Sequence, residues 1–162
     1  SAGGEYGWIA YSMNPKPGFG IPKTMNPPGP VLSRTLYLYD LYKESRKPVI
    51  LCEGIFDAMR LFVYGYNAMA IFGTNVSDSQ IEKLNKLDAP EVCVCLDSDA
   101  TSKADKLCRT LNSYFFGSVS KIELPEGDPD ECPHETFQSL YENRILYGDS
   151  LTKLKRLSLA IG

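Results

Sequence analysis

The sequence predicts an α/β fold: a four-stranded, mainly parallel sheet flanked by helices, preceded by a small irregular β/loop subdomain. Two observations carry that prediction. From Pro48 onward, short apolar runs alternate with amphipathic stretches of about ten residues, the pattern of strand–helix–strand crossovers. The first 46 residues lack this pattern and are instead interrupted by nine prolines and glycines between Pro15 and Pro30.

Taken in order, residues 5–13 are aromatic and apolar enough for a strand, one arm of a hairpin. The Pro/Gly stretch after them excludes a helix or a central strand, because proline fixes φ and lacks a donor. Long connections of this kind either carry function or lack fixed structure. Lys16, Lys23 and Arg34 punctuate this one. Thr35–Glu44 has Leu38, Leu41 and Tyr42 at helical spacing and is expected to form a short helix ended by Lys47-Pro48.

The regular part follows. Val49–Cys52, Ala68–Phe72, Val92–Leu96 and Val119–Glu123 read as buried strands. Ile55–Tyr64, stopped by Gly65, reads as a helix, as do Ser77–Leu87, Ser102–Phe115 and Pro133–Ile145. Ser77 and Gln80 have the spacing of a capping box, in which each side chain satisfies an orphan amide at the helix start. The chain therefore divides into an N-terminal segment (1–46), an α/β domain (47–147) and a basic amphipathic tail (148–162).

Composition is that of a globular chain: 43% hydrophobic and 23% charged residues. No apolar run reaches the roughly 20 residues of a membrane span, and no signal-peptide pattern opens the chain. The initial Ser-Ala-Gly-Gly reads as a scar of tag removal. Five cysteines without metal-ligand spacing point to small buried thiols in a reducing cytoplasm rather than to structural zinc. The net charge of −3 is unevenly spread. Residues 1–50 carry six Lys/Arg against three acids, residues 51–145 eight against sixteen, and the tail three against one.

That acidity is concentrated in three stretches, each at or just past a predicted strand: Cys52-Glu53-Gly54-Ile55-Phe56-Asp57-Ala58, Leu96-Asp97-Ser98-Asp99 and Glu126-Gly127-Asp128-Pro129-Asp130-Glu131. Ligands of parallel α/β sheets bind at the carboxyl ends of the strands, so topology brings these stretches to one edge. Carboxylates held that close raise one another's pKa or draw in a hard cation with oxygen ligands. Gly54 is expected to let the backbone turn sharply between strand and helix. Taken singly, each signal has an ordinary alternative: Asp57 as an acid favoured near a helix N-terminus, Asp97-x-Asp99 as solvated turn acids. Their combination and order point to a metal site for phosphoryl chemistry. The single histidine, His134, offers no nucleophile–base constellation and reads as structural or surface.

At these residues the chain resembles a TOPRIM domain, the Rossmann-like fold shared by bacterial-type primases, type IA and II topoisomerases and some nucleases. It is most similar to bacterial DnaG-type and phage DNA primases. Val49-x-x-x-Glu53-Gly54-x-x-Asp57-Ala58 matches the first motif, and Gly73-Thr74 followed by Ser77 and Gln80 the second. Leu124-Pro125-Glu126-Gly127-Asp128-Pro129-Asp130-Glu131 matches the last, one residue short. Upstream, Lys23-Thr24-Met25-Asn26-Pro27 and Thr35-Leu36-Tyr37 resemble segments of the primase polymerase core. The resemblance implies synthesis of short RNA primers from NTPs on a single-stranded DNA template, with Mg²⁺ or Mn²⁺ as cofactor. It implies Glu53, Asp97 and Asp99 as the central catalytic and metal-binding acids, with Asp57, Asp128 and Asp130 as supporting metal-site acids that complete or orient the ions. Lys23, Asn26, Arg34, Gly73 and Thr74 are implied to contact nucleotide or nucleic acid.

It further implies a bacterial or phage-infected cytoplasm, and a replicative helicase and a zinc-binding domain as partners outside a chain that reads as a piece of a longer primase or primase–helicase. The alternatives are a TOPRIM nuclease and a non-catalytic nucleic-acid-binding module. One departure stands out: where the family has Ala-Gly after D-x-D, this chain has Thr101-Ser102, with Ser102 suited to cap the helix.

Overall fold

The computed structural model describes residues 31–148, together with Ala10–Tyr11, Thr24–Met25 and Ser158. Two short strands, β1 (Ala10–Tyr11) and β2 (Thr24–Met25), pair antiparallel. The rest of the predicted strand over 5–13, the Pro/Gly segment with Lys16, Lys23 and Asn26, and the amphipathic part of the tail lie outside the described residues.

The main sheet contains β3 (Val49–Cys52), β4 (Asn67–Ala70), β5 (Glu91–Val94), β6 (Ser118–Lys121) and β7 (Ile145–Tyr147), in the order β4-β3-β5-β6-β7. The first four run parallel and β7 is antiparallel to β6. The sheet thus has one strand more than predicted. Helix α4 (His134–Glu142) stops three residues short of the expected Ile145, and the chain returns as an edge strand. Arg144 fixes that return. Its guanidinium makes two hydrogen bonds to the Glu91 carboxylate, at 2.6 and 2.9 Å, across to the start of β5.

Helices α1 (Ile55–Val63), α2 (Asp78–Lys86) and α3 (Thr101–Tyr114) complete the layers. Alternation along the buried strands sorts their side chains onto two faces. Val49, Leu51, Met69, Val92, Val94 and Val119 join Leu84 and Leu107 in the core beneath α2 and α3. Ile50, Cys52, Ala68, Cys93 and Cys95 join Leu61 and Phe137 beneath α1 and α4. All five cysteines are buried, and burial pushes their thiols up, Cys93 and Cys108 to about 12, so they pack as small apolar groups.

Helix α1 ends in a Schellman motif. Gly65 sits at φ +96°, Tyr66 N–H donates to Leu61 O at 3.0 Å and Gly65 N–H to Phe62 O at 2.9 Å. Helix α2 opens with the predicted capping box: Gln80 N–H donates to Ser77 Oγ at 3.1 Å, and Ser77 N–H to Gln80 Oε1 at 3.0 Å. Gln80 does more than cap. It is buried, and its amide nitrogen also donates to Thr35 O at 2.8 Å and Ile71 O at 3.2 Å, tying the segment before the domain to the end of β4.

The helix expected over Thr35–Glu44 reduces to a single 3-10 turn, Tyr39–Tyr42. Tyr37 N–H instead donates to Ala70 O at 3.1 Å, an isolated antiparallel bridge that covers the outer edge of β4, and Leu38 adopts φ +68° to leave it. Sealing the sheet edge and burying Leu36 and Tyr42 overrides local helical spacing here. Among the described residues no helix is long and apolar enough to cross a membrane.

Candidate metal centre

All three acidic stretches reach the carboxyl edge of the sheet. Glu53 directly follows β3, and Asp97 lies three residues past β5, the neighbouring strand in the sheet. The third stretch follows β6 and is pinned back onto the other two by backbone hydrogen bonds. Ser98 N–H donates to Gly127 O at 3.0 Å, and Asp130 N–H to Asp57 Oδ1 at 3.2 Å. Arg60 Nε donates to Asp130 O at 3.2 Å, and the Tyr64 hydroxyl to Cys132 O at 2.9 Å. Gly127 sits at φ +63°, and a Cβ there would stand 2.6 Å from Glu131 Oε2, so the turn requires glycine.

Asp57, in the first turn of α1, is buried. Its Oδ2 accepts the Gly54 N–H at 3.2 Å while Oδ1 accepts that of Asp130. Burial raises its pKa to about 6; these two bonds oppose the rise and the charges of Asp130 and Asp128 add to it. Asp57 therefore braces helix and loop together. Gly54 is not the sharp turn expected from sequence. Its backbone is extended, φ −111°, which any residue adopts, and a Cβ there would meet Asp57 Oδ2 at 3.3 Å. Close approach of that carboxylate is what its small size allows.

Asp97 is the most perturbed acid of the edge. Burial, then the charges of Asp128, Asp57 and Glu53, push it up to about 7, and a side-chain hydrogen bond with Asp128 adds to the rise. Its Oδ1 is buried and has no hydrogen-bond partner among the described residues. Buried polar atoms are nearly always satisfied, so a carboxylate oxygen without a partner among the described residues, on an aspartate whose pKa three other acids raise, fits a bound cation. The donors are all hard oxygens, which suits magnesium or manganese. Among the described residues no three acids, cysteines or histidines are placed so that they could hold a metal ion between them. The residues fit a cation that keeps water and substrate oxygens in its shell, as magnesium usually does.

Asp99 differs from Asp97 although the sequence pairs them. It lies in the 3-10 turn Ser98–Ala100 and is exposed. That turn also alters the entry to α3. Ala100 occupies the cap position with no side-chain cap bond, and Ser102 is exposed within the first turn, so Ser102 does not cap the helix as expected. Gly73 and Thr74 lie half-buried on the same edge, in the loop after β4, where Ile71 N–H donates to Cys52 O at 2.9 Å and Phe72 N–H to Glu53 O at 3.0 Å. Arg34 is exposed in the 3-10 turn Leu32–Arg34, whose carbonyl at Arg34 accepts from Lys83 Nζ at 2.5 Å. His134 is an exposed first residue of α4, stacked on Tyr64 with ring centroids 4.4 Å apart.

One charged residue beside the edge escaped the sequence reading. Lys121, on β6, is buried between Asp105 and Glu123, 2.6 Å from each, and lines a narrow cleft with Asp97, Ser98 and Thr101. Its only sequence signal is a lysine at a core-facing position of an otherwise apolar and small-residue strand.

Residues 50–132, a little over half of the chain, match the model of the Toprim-like family. The chain belongs to that family, a class of α/β domain that in its primase members is generally metal-dependent. Its relatives are DNA primases. It is 32% identical to the DNA primase of Campylobacter jejuni over 108 residues, covering 62% of this chain and 17% of that protein. It is 36% identical to the DNA primase of Aquifex aeolicus over 118 residues, covering 68% and 24%. Among solved structures, the zinc-binding and RNA polymerase domains of the Aquifex aeolicus primase superpose with a TM-score of 0.70 at 27% identity, covering 95% of this chain and 40% of that one. The chain thus spans about a quarter or less of the curated relatives it matches.

Proposed function

We propose that this chain is the nucleotidyl-transfer part of a DNA primase, making short RNA primers from NTPs on single-stranded DNA. The observation that carries this is Asp97: a buried carboxylate oxygen without a partner among the described residues, on a residue crowded by acids from the other two stretches, in a chain whose curated relatives are primases. In primer synthesis the 3′ hydroxyl of one nucleotide attacks the α-phosphate of the next and releases pyrophosphate. Magnesium or manganese at the carboxylate edge supplies Lewis-acid stabilisation of the charge that develops there.

Glu53 and Asp97, at the ends of neighbouring strands, are the residues that hold it, with Asp99 on the exposed side. Asp57 fixes the loop carrying Asp128 and Asp130, so these three set the orientation of the central acids. Gly73, Thr74, Arg34, Lys23 and Asn26 serve the nucleotide or template, the last two from residues outside those described. Residues 47–147 form the catalytic unit in this reading, with 1–46 part of the polymerase core. A zinc-binding domain, as named for the Aquifex aeolicus protein, and a helicase are its partners in the complete machine.

The test is incubation with single-stranded DNA, NTPs and Mg²⁺ or Mn²⁺, comparing the parent chain with Asp97→Ala. RNA oligonucleotides from the parent and none from the variant are expected. Degradation of the template in place of RNA product would overturn this assignment in favour of a nuclease.

A further inference from the structure

Next to the carboxylate edge, and unused by the chemistry above, is a cavity of about 320 Å³ between the Leu32–Arg34 turn, the end of β4 and the start of α2. Leu32, Phe72 and Val76 form apolar walls, while Asn75 and Ser77 contribute polar edges. Its size falls at the small end of ligand pockets, enough for one ring system and not for a stretch of polymer. Among the described residues its lining includes no lysine, arginine or histidine, so these supply no counter-charge for a phosphate inside it.

The cavity is built into the fold. Gln80, which closes its base, is buried and holds Ile71 O and Thr35 O, as described above. Phe72 is held at φ +59°. A bulky side chain in the left-handed region is strained and persists only where the surrounding structure enforces it, a feature that clusters at functional sites. Here the enforcement is the bond from Phe72 N–H to Glu53 O, which ties the aromatic wall to the residue carrying the first metal-site carboxylate. The cavity wall at Phe72 and the carboxylate residue Glu53 are therefore joined by one backbone hydrogen bond of 3.0 Å, and Gly73-Thr74 directly follow that wall in the chain.

We propose that this cavity receives the base of the nucleoside triphosphate whose phosphates are held at the carboxylate edge, with Phe72 and Val76 as walls for the ring and Asn75 at the rim for its polar edge. The assignment rests on the metal–phosphate reading of that edge and adds to it the seat of the base. An aromatic wall accepts any base by its π-face, so the pocket anchors nucleotides without choosing among them.

Calorimetric titration of the chain in Mg²⁺ with ATP and, separately, with inorganic tripolyphosphate tests it. ATP is expected to bind about tenfold tighter than tripolyphosphate, the equivalent of one stacked base. Val76→Trp, which fills the cavity, is expected to abolish that difference and leave tripolyphosphate binding unchanged. Phe72→Gly, which accepts the positive φ without strain, is expected to weaken ATP at least fivefold, again sparing tripolyphosphate, and guards against misfolding of the larger substitution. Equal losses for both ligands in Phe72→Gly, or undiminished ATP binding in Val76→Trp, would overturn the pocket. ATP binding no tighter than tripolyphosphate in the parent would overturn it too, while leaving the phosphate site standing. Binding of neither ligand would overturn both.

Discussion

Strand β5 begins on one acid and leads to another just past its end, and the two are treated in opposite ways. Glu91, its first residue, is buried with full compensation: Arg144 grips both its oxygens and Ser120 donates a further hydrogen bond. Burial works to raise its pKa, but those bonds outweigh it and hold the carboxyl below its ordinary value. Asp97, six positions on, meets burial and three other acids, and rises to about 7. One end of the sheet is neutralised within the protein. The other end keeps an excess of acids and, among the described residues, offers no partner to Asp97 Oδ1. The fold tolerates unsatisfied charge where a ligand is due and removes it elsewhere.

The largest effect expected from breaking this contrast is on activity. Asp97→Ala should lower primer synthesis by about 100-fold or more, as loss of one preorganised electrostatic group does. Its melting temperature should be unchanged or higher, because a repelled carboxylate is removed. A large fall in melting temperature would mean that Asp97 is structural.

At the other end the pattern reverses. Arg144→Ala leaves Glu91 buried without its cation and should cost about 3 kcal/mol in urea unfolding. Activity per folded molecule should be retained. If stability is unchanged, the Glu91–Arg144 pair does not anchor β7.

The two ends should also answer pH with opposite signs. Asp57 and Asp97 have folded-state pKa values above their unfolded values, so the folded state binds protons more readily. Their ionisation costs stability as pH rises through about 6 and 7, and the cost disappears toward pH 4. After allowance for solvent at Asp97, the loss between pH 5 and pH 8 without divalent metal should be on the order of 2 kcal/mol. Mg²⁺ should reduce it. Glu91 is depressed, so its contribution is present above the unfolded carboxylate pKa and is lost as pH falls through its folded value, in more acid solution. Denaturant melts across pH, with and without Mg²⁺, separate the two; stability that climbs from pH 5 to 8 in metal-free buffer would contradict the account of the carboxylate edge.

The smallest effect is expected at Ser102. Since it is exposed and caps nothing, Ser102→Gly should cost about 0.5 kcal/mol of helix stability and leave product yield nearly unchanged. A strong gain in activity would show that the glycine of the family pattern matters for approach of the nucleotide.

Much of the fold was legible because its signals are local. The capping box of Ser77 and Gln80 and the stop at Gly65 need only neighbouring residues, and the apolar runs at 49–52 and 92–94 declare buried strands by composition. What escaped depended on partners far away in sequence. Ile145–Tyr147 is too short to announce a strand and becomes one by pairing with β6. Thr35–Glu44 gave up its helical spacing to cover the edge of β4. Lys121 was invisible as a buried cation because Asp105, one of its two partners, comes from another element, α3.

The carboxylate edge divides the same way. Sequence alone determined that acids follow the strands, and the rules of parallel sheets then required them to share an edge. Nothing in Asp97-Ser98-Asp99 distinguishes one aspartate from the other. Tertiary structure decided that Asp97 is desolvated and crowded while Asp99 faces water, because burial and repulsion come from Glu53, Asp57 and Asp128, brought in by separate crossovers.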